Sequence, residues 1–149
     1  MRATLIIISG VIILIIGWFY YQQWISEEVI PSEKNTVKLN LSNNQSVFLK
    51  AKTWGISGNH EEIVLSETEP STTDKAKDYI FYTSKVYYKT EEGKVIIYAP
   101  ESLTSQPINK FDNIEVEIID LKTAGEISNY EKNYRKYGLN IISVYPASP

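Results

Sequence analysis

The sequence predicts a small mainly-β (α+β) domain joined to a single N-terminal transmembrane helix. Three observations carry that expectation. Residues 3–26 hold no charged side chain. Much of the stretch from Val37 to Ile118 alternates apolar and polar residues with period two. One segment near the C-terminus then switches to helical spacing between a cap and a stop.

Ala3 to Ser26 spans 24 residues, about 36 Å as a helix, where a bilayer core requires about 20 residues. The centre, Leu5 to Gly17, is rich in Ile and Val. In lipid the backbone must satisfy its own hydrogen bonds, so such a run becomes helical despite its β-branched residues. Trp18, Phe19, Tyr20, Tyr21 and Trp24 gather at one end, as an interfacial belt does. The run exceeds a signal-peptide core of about 7–15 residues and no small-x-small site follows it, so a retained anchor is expected rather than a cleaved leader. Arg2 precedes the run and Glu27 and Glu28 follow it. This places the N-terminus inside and the domain in the periplasm or outside the cell, although Lys34 and Lys38 fall in the counted window. Ser9, Gly10 and Gly17 form only a loose version of the small-residue helix-packing pattern.

The expected division is a short cytoplasmic tail (1–4), a signal-anchor helix (5–26), a connector (27–36), an extracytoplasmic β-rich domain (37–145) and a frayed tail (146–149). Pro31 ends any helical continuation. Val37 to Leu41 alternates, Asn43-Asn44 signals a turn, and Val47, Leu49 and Ala51 alternate with Phe48, Lys50 and Lys52, which together predict a hairpin. Residues 61–66 form the next strand, and the polar stretch from Glu67 to Lys77 reads as an exposed loop. Residues 78–83, 85–89 and 94–98 are further strands, with Gly93 turning the last pair as a hairpin. A long connection runs from Pro100 to Asn113, and Ile114 to Ile118 alternates again, with Glu115 and Glu117 on one face.

Ile127, Tyr130, Tyr134 and Tyr137 then fall on one helical stripe. Thr123 and Glu126 match a capping box, and Gly138 is placed to stop the helix with Leu139 as its apolar partner. The whole is a mostly antiparallel sheet of seven to eight strands, sandwich or open barrel-like, with one C-terminal helix over about 124–137 followed by a final strand. A right-handed crossover through that helix could instead set two strands parallel.

The inventory of reactive groups is thin. The chain has no cysteine and one histidine, His60, so no cofactor or metal site is expected: zinc centres take several His or Cys ligands, and no phosphate loop or calcium loop is present. All 18 acidic residues, and every basic one of the 15 except Arg2, fall at or after Glu27. A mildly acidic domain of this kind is not expected to bind nucleic acid.

Two candidate sites remain. Trp54, Gly55, Ser57, Gly58, Asn59 and His60 pack an indole, two glycines, an amide and an imidazole into one short segment, as a binding loop or as a plain turn between strands. Tyr79, Tyr82, Tyr87, Tyr88 and Tyr98 form either an aromatic binding face or ordinary strand packing. The expected function is therefore that of a non-enzymatic, membrane-anchored binding or assembly module. It meets the lipid bilayer through residues 5–26 and a protein partner or envelope component near the membrane. Two alternatives stay open: a small accessory subunit recognised through its helix, and a hydrolase using His60 with acids assembled by the fold.

Overall fold

The computed structural model describes residues 13–18, 32–41, 44–55, 60–69 and 72–145. The chain divides into two units, Met1–Ile30 and Pro31–Pro149. In the first, residues 13–18 form a helical segment, α1, on which Ile13, Leu14, Ile15 and Ile16 each expose half or more of their surface. Among the described residues no helix is long and apolar enough to cross a membrane. The expected span over 5–26 lies outside the described residues except for 13–18.

The second unit is a mainly-β domain with nine strands in two sheets among the described residues, one or two more than the sequence suggested. They are β1 (Ser32–Asn40), β2 (Ser46–Trp54), β3 (His60–Ser66), β4 (Tyr79–Phe81), β5 (Lys85–Glu91), β6 (Lys94–Ala99), β7 (Thr104–Ser105), β8 (Glu115–Asp120) and β9 (Asn140–Ser143). A five-stranded sheet has the order β1-β2-β3-β4-β7 and a four-stranded sheet the order β8-β6-β5-β9. Every pairing is antiparallel except β6 with β8.

That exception has a simple cause. After β6 the chain leaves its own sheet, forms a short 3-10 turn (Glu101–Leu103) and gives β7 to the other sheet. It then returns to lie beside β6 as β8. The stretch 100–113, expected as a plain connection, thus contains a strand. The parallel pair does not arise through the helix, because β8 and β9 occupy opposite edges of their sheet. The domain also begins earlier than expected. β1 starts at Ser32, inside the presumed connector 27–36, and pairs with the end of β2 through a bulge between Glu33 and Asn35.

Alternation decides which side chains meet. Val47, Leu49, Ala51, Ile63, Leu65, Tyr79 and Phe81 from the first sheet join Val86, Tyr88, Val95, Ile97, Ala99 and Ile142 from the second in one buried core. Each fully buried aliphatic or aromatic side chain stabilises by about 1.5–3 kcal/mol. Val116 and Ile118 add the apolar face of β8, while Glu115 and Glu117 turn outward to Lys94. The β5–β6 hairpin turns at Glu92 and Gly93, both at positive φ, the two-residue geometry that matches strand twist.

The helix, α2 (Ala124–Asn133), follows its sequence signals closely. The Thr123 hydroxyl accepts from the Glu126 N–H at 3.2 Å, and the Glu126 carboxylate accepts from the Thr123 N–H at 3.0 Å. The last turn continues as Tyr137 N–H donates to the Asn133 carbonyl at 3.1 Å. Gly138, at φ +69, then closes it: its N–H bonds Arg135, and the Leu139 N–H bonds Tyr134. Ile127, Tyr130 and Tyr134 pack over Tyr87, Leu121 and Leu139 on the outer face of the four-stranded sheet.

Candidate functional site

The β2–β3 register places Trp54 opposite His60 on the last rung of that hairpin. Opposed residues on one face are close enough for side-chain contact, and the two rings stack with centroids 5.5 Å apart and planes 14° apart. Gly55 leaves the strand at φ +85, a backbone that glycine adopts without strain. Ser57, Gly58 and Asn59, the rest of the candidate loop, lie outside the described residues. Glu61, next along β3, points to the other face, where it accepts a hydrogen bond from the Tyr145 hydroxyl. That bond, with lesser help from burial and from the Glu61 charge, holds the Tyr145 phenol above its ordinary pKa.

Tyr82 and Thr83 follow β4 and approach the same end of the sheet. The Tyr82 N–H donates to the Leu103 carbonyl at 2.8 Å, which fixes the chain there. Trp54, His60, Glu61, Tyr82 and Thr83 together line an open recess of about 410 Å³. These residues carry aromatic surface, one carboxylate and the hydroxyls of Tyr82 and Thr83, and none of them is lysine or arginine. Among the described residues His60 makes no hydrogen bond to a carboxylate, the contact that orients the base in a Ser-His-Asp arrangement. Nor does any group of three or more His, Cys, Asp or Glu among them come together to hold a metal ion.

One rung below, the same outer face of the five-stranded sheet carries a cluster absent from the sequence expectations. Lys52 lies opposite Glu62. Its ammonium donates to the Thr73 hydroxyl at 2.8 Å, which donates in turn to Glu62 Oε1 at 2.9 Å. Lys50 and Lys52 are both 0% exposed, although they occupy the polar half of an alternating strand. Thr73 comes from the stretch that read as a simple exposed loop. That stretch is organised by Asp74 and Asp78: the Asp78 carboxylate accepts from the Asp74 N–H at 2.8 Å, and the Asp74 carboxylate from the Ala76 N–H at 2.9 Å. The readable signal was in the neighbours. Ile63-Val64-Leu65 and Tyr79-Ile80-Phe81 are apolar on both faces, as in a sheet covered on both sides.

The five candidate tyrosines do not share a face. Tyr79 and Tyr88 are in the main core, Tyr79 meeting Phe111 edge-on at 5.1 Å. Tyr87 and Tyr98 lie under α2, with Tyr98 5.3 Å from Tyr130 and Tyr87 5.6 Å from Tyr134. Tyr82, 42% exposed, is the one that reaches the recess. Of the two readings open for these residues, four of them follow the packing one, since alternation and the helix send them to separate interiors. Burial raises the Tyr79 and Tyr88 phenols and, with lesser contributions from Glu131 and Tyr134, pushes Tyr87 up to about 12.

No protein-family model matches the chain, and no curated protein or solved structure matches it either.

Proposed function

We propose that the protein is a membrane-anchored, extracytoplasmic binding module. In this reading a signal-anchor helix over residues 5–26 spans the cell membrane with its N-terminus inside. The domain beyond it is a β-sandwich with one helix across an outer face, held near the headgroups by a connector of a few residues. It meets a protein partner or envelope component through the recess at the end of the five-stranded sheet, and no catalysis is assigned to it. The observation that carries the anchor is the uncharged run from Ala3 to Ser26, with its aromatic belt at one end and acids just beyond. The exposed apolar side chains at 13–16 agree with it, since such a surface suits lipid better than water.

The test is topological. The full chain, carrying a C-terminal tag and expressed in bacterial cells, should remain in the membrane after an alkaline carbonate wash. The tag should be digested by protease added outside the inner membrane. Ile12→Lys combined with Ile13→Lys should release the chain from the membrane fraction, because a lysine at the centre of a span costs about 2.5–3.5 kcal/mol each. A wild-type chain washed off by carbonate, or a tag protected from external protease, would refute the anchored topology.

A further inference from the structure

The strands of the mainly-β unit share a common end. Ser32, where β1 starts, lies opposite Thr53, and Trp54 with His60 forms the next rung of β2 and β3. β4 finishes there at Phe81, and β5 starts at Lys85 opposite Ser143, two residues before Tyr145. The Tyr145 hydroxyl reaches Glu61 from the other sheet, and the Leu103 carbonyl holds the Tyr82 N–H. The entry of the chain, the open recess and three exposed side chains, Tyr82, Leu103 and Tyr145, therefore coincide at this end.

The far end is different. There the β5–β6 turn and the start of β8 bring Glu91, Glu92 and Glu115 around Lys94. None of the large apolar side chains that the described residues expose lies at that turn. Rings that carry a polar atom settle at the boundary between lipid headgroups and acyl chains, where one edge is dry and the other wet. Trp54, Tyr82 and Tyr145 are of this type, and Leu103 adds a purely apolar contact.

We propose that this end of the domain docks on the membrane surface, with Trp54, Tyr82, Leu103 and Tyr145 at the headgroup–acyl boundary of a phospholipid bilayer. The inference rests on the anchored reading above and names the bilayer as the envelope component that the recess meets. Chain length favours lipid over another occupant. Only residues 27–31 separate the proposed span from Ser32, about 20 Å at full extension. In that reading the end at which the chain enters stays within this reach of the interface, and a folded partner domain, about 30 Å across, does not fit between them.

The experiment is tryptophan quenching in the full chain reconstituted into phosphatidylcholine vesicles. The probe is phosphatidylcholine brominated either near the headgroup or near the chain ends. The chain has three tryptophans, Trp18, Trp24 and Trp54. With Trp18→Phe and Trp24→Phe, Trp54 alone reports on the domain; with Trp18→Phe and Trp54→Phe, Trp24 alone reports on the anchor. The Trp54 signal should fall by about half in lipid brominated near the headgroup and by less in the other, as for an indole at the interface. Tyr82→Glu with Leu103→Glu, both at exposed positions, should remove most of that quenching while circular dichroism stays unchanged. Trp54 that lipid does not quench and aqueous iodide does overturns the proposal. Trp54 shielded from both quenchers overturns the assignment to lipid and gives the surface to a second copy or another protein. Quenching that ignores the double substitution overturns the assignment to this end of the domain. Quenched Trp24 with unquenched Trp54 defeats this inference alone, whereas an unquenched Trp24 defeats the anchored reading.

Discussion

On the outer face of the five-stranded sheet, Lys52 reaches Glu62 through Thr73. On the outer face of the four-stranded sheet, Tyr87 and Tyr98 meet the rings of Tyr130 and Tyr134. Both faces are turned away from the main core and both are covered, one by a loop and one by a helix. Their chemistry differs in what it tolerates. A buried charged relay is held by specific partners and suffers badly when one is removed. An aromatic contact is held by area and shape, and it can absorb a polar atom left without a partner. Tyr87 shows this: its hydroxyl is buried and makes no hydrogen bond.

The largest expected effect tests the charged face. Glu62→Ala removes the end of the relay and should destabilise the domain by about 3 kcal/mol, read as a lowered urea midpoint by circular dichroism. Combining Lys52→Met with Glu62→Leu should restore much of that loss, since a matched apolar pair needs no desolvated charge. If the double variant is no better than the single, the relay is more than a matched pair.

A smaller effect tests how the aromatic face is held. Thr123→Ala removes one half of the capping box and should cost about 1 kcal/mol, with increased hydrogen exchange in α2 before the strands. Exchange that rises uniformly across both sheets would show that the helix does not open separately.

The smallest change should have the opposite sign. Tyr87→Phe deletes the unpartnered hydroxyl and should stabilise by up to about 1 kcal/mol. The same residue sets an alkaline limit. Its phenol moves from the ordinary 10.0 to about 12 in the folded chain, so between those values the unfolded chain has released a proton that the folded chain retains. Its contribution is therefore complete below pH 10 and is lost as pH rises through about 12. Tyr87→Phe should flatten that decline in an alkaline denaturation series, and an unchanged slope would assign it to Tyr79 or Tyr88, whose phenols shift the same way.

The same two faces show what sequence alone could deliver. Local signals were legible where one residue type does one job: Thr123 with Glu126 starts the helix, Gly138 stops it, and Gly93 turns a hairpin. Alternation was legible too, and it sorted Val47, Leu49 and Ala51 from Phe48, Lys50 and Lys52 correctly. It did not report exposure. The side of β2 that carries Lys50 and Lys52 is buried, and Lys52 meets Thr73 from a loop some twenty residues on, of which period two holds no record. Strand pairing across sheets was hidden for a similar reason, since nothing in Thr104-Ser105 announces that it belongs with β4. Trp54 and His60 were found as neighbours on a hairpin, but Tyr82 and Thr83 join them only through tertiary structure.

The position of β9 in the sheet bears on when folding can happen. This strand comes last of the nine, yet Ile142 is fully buried in the shared core and pairs with Val86 in β5, more than fifty residues earlier. The Val144 N–H also bonds the Ser84 carbonyl at 2.8 Å. Until those residues are available, β5 has an open edge and the core lacks one wall, so the sheet cannot close as synthesis proceeds. Pairing at such separation is intrinsically slow. In the exported topology proposed above, this delay would suit passage through a translocation channel, because the strand that closes the sheet is the last of the nine to emerge.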